Sequence, residues 1–167
     1  LARSRDTRLT GDDPFWEGRY PEQFREGPLD LPAIIESLLR VQGEFPFINI
    51  ELRSWREHLD NTILRNLILG YRQVNTMLAD GRDLNENELL ALNTLVLYGD
   101  DLGARISGSG DLAETERKLR RYVQALMKWY ERQCRQAEDP VKIAAGMFTR
   151  ILARPQLFRE GNHRTAS

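Results

Sequence analysis

The chain has 167 residues, 41% apolar and 29% charged, which is enough for one ordinary domain with a genuine core and is not the composition of a disordered or membrane chain. Its 24 basic and 25 acidic side chains leave a formal net charge of -1, so no global field draws nucleic acid or anionic lipid and any phosphate contact must be local. One cysteine, Cys134, and two distant histidines, His58 and His163, exclude an internal disulfide and a zinc-finger spacing.

A reducing, cytoplasmic setting fits that cysteine usage, or delivery from the cytoplasm as part of a larger protein. No apolar run approaches the roughly 20 residues of a membrane span, and the opening Leu1-Ala2-Arg3-Ser4-Arg5 leads into no signal-peptide core. Beginning at Leu1 and stopping at Ser167, directly after its most distinctive motif, the chain reads as a piece of a longer polypeptide.

Residues 1–30 show no sustained period and read as an irregular arm pinned by Phe15, Trp16, Tyr20 and Phe24. Pro32 suits the first turn of a short helix through Arg40, where Ile34, Ile35, Leu38 and Leu39 recur at helical spacing, and Gly43 to Pro46 should break it. Residues 1–50 thus form an arm and a short helix, and 51–167 the helical domain proper. Over residues 50–79, Leu52, Trp55, Leu59, Ile63, Leu67, Val74 and Leu78 follow a helical period. This is one helix, or two in series with an interruption at Asp60-Asn61, stopped by Asp80-Gly81.

Asn85 with Glu88 predicts a capping box that opens a helix through Leu89, Leu92, Leu95 and Val96, which Gly99 ends. Residues 100–110 hold too many glycines for a helix and predict a small hairpin or flap. Asp111, with Glu114, caps the next helix, whose apolar face is Leu112, Leu119, Tyr122, Val123, Leu126, Trp129 and Tyr130, ending near Arg135. Asp139-Pro140 caps and starts a further helix through Val141, Ala144, Ala145, Phe148 and Ile151 up to Pro155. The whole predicts an all-α domain of about six helices with one β-hairpin flap.

Reaction-capable residue types crowd into one segment, Gln156-Leu157-Phe158-Arg159-Glu160-Gly161-Asn162-His163-Arg164-Thr165. A Gly-Asn step permits torsions that turn successive backbone amides toward one point, making an anion-binding nest, and Arg164 adds a fork of donors for phosphate oxygens. Glu160 supplies the hard oxygen that Mg2+ prefers when it bridges phosphates. Taken alone, Glu-Gly-Asn is also an ordinary turn and Arg-Thr an ordinary helix start.

This segment resembles the signature of the Fic family, His-Pro-Phe-x-(Asp/Glu)-Gly-Asn-(Gly/Lys)-Arg, often followed by Thr, at its Phe, acidic, Gly, Asn, Arg and Thr positions. The lead of Pro140 into Ala144-Ala145 is similar to the Pro-x-x-x-Ala-Ala approach common in the family. The resemblance spans roughly residues 84–165 and is specific only at the loop. It implies a Fic-like helical fold and a nucleotidyltransferase that moves AMP from Mg-ATP to a hydroxyl of a target protein. ATP and Mg2+ would be the cofactors, with a nucleotide and a target protein as partners, and neither nucleic acid nor membrane.

Carried over residue by residue, the resemblance makes Glu160 the Mg2+ ligand. Gly161 and Asn162 become the phosphate cradle, flanked by His163 and Thr165. Arg164 becomes the clamp on the phosphates and on charge developing during transfer, and Phe158 the buried anchor. Arg105 and Ile106 fall where family members carry a flap that aligns the target by strand addition. The departure is Gln156, which stands where the family has its general-base histidine. An amide is not basic near neutral pH, and losing a general base removes about 10²–10⁴-fold in rate. His163 would have to reach the attacking hydroxyl from a different loop position. The resemblance therefore leaves two readings, a weak or inactive nucleotidyltransferase and a non-catalytic Fic-fold module for protein binding.

Thr76 to Gly81 is similar to the self-silencing Ser/Thr-x-x-x-Glu-Gly/Asn motif of some Fic proteins, with Asp80 for Glu, and also reads as a plain helix stop. Trp55, Trp129 and Tyr130 fall on apolar faces and read as core. The basic cluster Arg117, Lys118, Arg120 and Arg121 follows Glu114 and Glu116 and reads as a solvated helix face. Asp100-Asp101 needs no cation, and His58 sits on a polar face.

Overall fold

The computed structural model describes residues 27–51, 59–136 and 139–166. Seven helices make up the described residues: α1 (Leu31–Glu51), α2 (Asn61–Ala79), α3 (Glu86–Tyr98), α4 (Leu102–Ser107), α5 (Ser109–Arg135), α6 (Pro140–Leu152) and α7 (Asn162–Ala166). The all-α expectation holds, with no strand among the described residues. The N-terminal arm as far as residue 26, Trp55 and His58 lie outside them.

Local chemistry sets most boundaries. Asp60 accepts from the Ile63 N–H at 2.8 Å and opens α2, so the break at Asp60-Asn61 is a helix start. Asn85 accepts from the Asn87 and Glu88 amides at 2.9 and 3.1 Å and opens α3. The Glu88 carboxylate does not complete the box, because it pairs with Arg82. Gly99, at φ 61°, closes α3, a conformation that favours a residue without Cβ. Asp139 accepts from the Val141 amide at 2.8 Å, with Pro140 in the first turn of α6.

Three expectations need correction. First, α1 does not stop before Gly43 but runs to Glu51 with Pro46 inside it. Half-buried Leu31, Ile34, Ile35, Leu38, Gln42 and Phe45 continue one stripe past the glycine, and packing of that stripe on α2 outweighs the local breakers, although a proline inside a helix costs about 3 kcal/mol. Second, residues 100–110 form no β-hairpin flap; they hold α4 and the start of α5. Asp101 caps α4 by accepting from the Ala104 amide at 3.0 Å. Gly108 ends α4 and precedes α5. A Cβ there would lie 2.6–2.7 Å from the Tyr98 ring, so this glycine marks a close approach rather than a turn. Third, α5 begins at Ser109, and Asp111 lies in its first turn instead of capping it.

α3 packs against α2, α4, α5 and α7, and α5 packs against α3, α4 and α6. Their common core is Leu89, Leu119, Val123, Leu126 and Ile151 together with Leu157 and Phe158 from the α6–α7 loop. Along α5, Thr115, Leu119, Val123 and Leu126 recur at helical spacing on the buried side. Trp129 packs where a Cβ on Gly146 would stand, with Arg150 over its ring at 3.9 Å, so the expected core role of this Trp is an α5–α6 seam. No helix among the described residues is long and apolar enough to cross a membrane.

Candidate phosphate-binding loop

Residues 153–161 leave α6 and enter α7, and the segment is fastened to the core from within. Phe158 is 0% exposed and Leu157 is 4% exposed, so the apolar pair anchors the loop by burial. The Asn162 side chain closes a ring on Phe158: its Oδ1 accepts from the Phe158 amide at 2.8 Å and its Nδ2 donates to the Phe158 carbonyl at 3.0 Å. Both polar backbone groups of a fully buried residue are thereby satisfied, which a buried backbone requires. Lys118 adds a bond from Nζ to the same carbonyl at 2.9 Å.

Gly161 stands at φ 72°, and a Cβ there would lie 3.0 Å from Asn93 Nδ2 and from Leu97. Glycine is thus required by torsion, and a Cβ would also press on these two side chains. From α3, Asn93 Nδ2 donates to the Glu160 carbonyl at 2.9 Å and to Thr165 Oγ1 at 3.1 Å. Thr165 donates to the Gly161 carbonyl from its amide and from Oγ1, each at 2.9 Å. On the outer side, Arg159 pairs with Asp111 at 2.8 Å and with Glu114. The two carboxylates expected to cap α5 therefore tie down the loop. Exposed pairs of this kind are worth about 1 kcal/mol or less.

Of the residues singled out by sequence, Glu160 and His163 are exposed, while Gln156, Arg164 and Thr165 are half-buried. Arg164 and Thr165 border a largely apolar cavity of about 230 Å³ whose walls include Leu67, Val74, Leu92 and Val96. Asn162 is buried, and its side chain serves the loop rather than a ligand, leaving only its backbone amide for a cradle. Arg105 and Ile106 lie on α4. The Nε and Nη2 nitrogens on one edge of the Arg105 guanidinium both donate to the Gly99 carbonyl, so this arginine closes the α3–α4 corner. Asp80 is the C-cap of α2, and its carboxylate pairs with Arg82 at 3.2 Å just beyond the helix end.

Four residues of the site escaped the sequence reading: Asn93, Lys118, Arg159 and Tyr98. The Tyr98 phenol is raised above its ordinary pKa first by burial and then by the Asp111 and Glu160 carboxylates, with Arg159 opposing. Asn93 had a signal in the sequence, an amide standing on the same face as Leu89 and Val96.

Among the described residues no group of three His, Cys, Asp or Glu can hold a metal. Glu160 is a single carboxylate, and Mg2+ typically takes one or two carboxylates with the rest of its ligands from phosphate oxygens and water, so Glu160 would hold such an ion only together with a phosphate-bearing ligand. Against protein families, curated proteins and solved structures alike, the chain finds no match.

Proposed function

We propose that residues 156–165 bind the phosphates of a Mg-nucleotide, and that the chain is a Fic-like protein whose transfer of AMP from ATP to a protein hydroxyl is slow or absent. The observation that carries this reading is the peptide pair around Gly161. The Glu160 and Gly161 carbonyls are both held by protein donors. In a trans peptide the N–H points opposite to the C=O, so the amides of Gly161 and Asn162 are turned away from those donors, as a phosphate nest requires. Exposed Glu160 stands beside them for Mg2+, and Arg164 lies one turn on.

In the transfer, the hydroxyl oxygen bonds to the α-phosphorus, the bond from that phosphorus to the β-phosphate bridging oxygen breaks, and pyrophosphate leaves. Gln156 can orient the hydroxyl by hydrogen bonding but cannot take its proton, which must pass to solvent. The carrying experiment is titration of Mg-ATP into wild type, Glu160→Ala and Arg164→Ala. Each substitution is expected to weaken binding about tenfold or more, the weight of a charge-assisted contact. Unchanged affinity in both rejects the site. Gln156→His, assayed with α-phosphate-labelled ATP, should restore labelling of protein if only the base is missing.

A second reading is a non-catalytic module for protein binding. Gln156 favours it, and so does α4, which occupies the stretch where a strand-bearing flap would align a target and offers no strand edge for one. A loop that stays empty at millimolar Mg-ATP would select this reading.

A further inference from the structure

We propose that Asn93 is the positioning residue that aims the loop's two amides, acting from α3 through the Glu160 carbonyl and the Thr165 hydroxyl. Its functional half rests on the nucleotide reading above. Asn93 is 0% exposed, and its Nδ2 reaches the backbone before Gly161 and the side chain after it, spanning 67 and 72 residues of sequence. The orientation of this amide is fixed by its partner: a carbonyl oxygen only accepts, so the nitrogen must face Glu160. Asn93 Oδ1 is then left buried with no hydrogen-bond partner among the described residues.

That orphan acceptor separates positioning from mere packing. A leucine continuing the Leu89 and Val96 face would fill the space without burying an unpaired oxygen. What it would lose is the hold on the Glu160 carbonyl, and with it the direction of the Gly161 amide on the far side of the same peptide plane. Thr165 passes the constraint on. Its Oγ1 accepts from Asn93 and donates to the Gly161 carbonyl beside the Thr165 amide, which adds a second hold on the plane bearing the Asn162 amide. A side chain buried in the helical core thus orients two amides that face the ligand, without touching the ligand itself.

The test follows backbone amide signals of the 15N-labelled chain, with and without Mg-ATP, in wild type, Asn93→Ala and Thr165→Val. Asn93→Ala is expected to shift the Gly161 and Asn162 amides while Val123 and Leu126 stay in place, and to weaken Mg-ATP about tenfold or more in the folded protein. Thr165→Val, which keeps the Glu160 bond, should move the Asn162 amide and leave Gly161 near its wild-type position, and it serves if the alanine variant does not fold. Unmoved loop amides in both variants, or moved amides with unchanged Mg-ATP affinity, overturn the proposal. Failure of the nucleotide reading shows earlier, in a wild type that does not respond to Mg-ATP, and takes the functional half of this inference with it.

Discussion

Two glycine-bearing stretches look alike on paper and behave as opposites in the structure. In residues 156–165 the backbone is held by side chains from distant helices, Asn93 of α3 and Lys118 of α5, and by two buried apolar anchors. In residues 100–110 the backbone is held locally: Asp101 caps its own helix and Arg105 folds back on Gly99, while Asp100 reaches Arg65 of α2 only through exposed side chains. Gly161 is needed for its torsion of φ 72°. Gly108, at φ -87°, has an ordinary torsion and is needed for the room it leaves to Tyr98. A glycine in a sequence therefore has two separate meanings, and only the neighbours in space tell which applies.

The largest test of this contrast is Phe158→Ala. The side chain is 0% exposed in the core built with Leu119 and Val123, so the substitution should cost about 3–5 kcal/mol in urea or thermal unfolding. Against the roughly 5–15 kcal/mol of a typical domain, that is a large share of stability. A cost below about 1 kcal/mol would mean that the loop is hung from the surface, like residues 100–110, and not built into the core.

How far the sequence reached follows the same division between local and remote. The caps at Asp60, Asn85 and Asp139 and the stop at Gly99 were legible because a side chain and the amide it serves lie within one turn. The apolar face of α5 was legible because periodicity is a one-dimensional signal. The overrun of α1 was not, since Gly43 and Pro46 argue locally for a break that packing on α2 outweighs. Nor was the flap's absence, because the partner of Gly108 is the aromatic ring of Tyr98 at the end of α3. At the site, the order of Glu160, Gly161 and Asn162 was plain. That Asn162 spends its side chain on Phe158, and that Asn93 holds Glu160, depends on helices brought together only by the fold.

Gly108→Ala sharpens the comparison at intermediate size. The backbone torsion suits alanine, so strain arises only where the new Cβ would stand 2.6–2.7 Å from Tyr98 ring atoms. Moving that ring should cost about 1–3 kcal/mol, the usual range for overpacking. Tyr98 feels the Glu160 and Asp111 carboxylates, so the displaced phenol should also shift the amide signals of residues 159–161. Stability lost without any change in those signals would separate the two stretches completely. Stability retained would mean that Gly108 is a plain helix junction.

The smallest effect is expected on the outer face of α4, from Leu102→Ser and Ile106→Ser. These side chains are 69% and 65% exposed, four residues apart on a helix of six. Little apolar area leaves water when they fold, and each substitution should change stability by no more than about 0.5 kcal/mol, as for surface positions generally. Serine is a slightly poorer helix former than leucine, by a few tenths of a kcal/mol, which sets the sign as mildly destabilising. Equilibrium urea unfolding resolves the difference from Phe158→Ala without ambiguity, since the two expectations differ by about sixfold or more. A loss of 2 kcal/mol or so at Ile106 would reveal a covered face, and residues 100–110 would then belong, like residues 156–165, to the parts of this fold held from a distance.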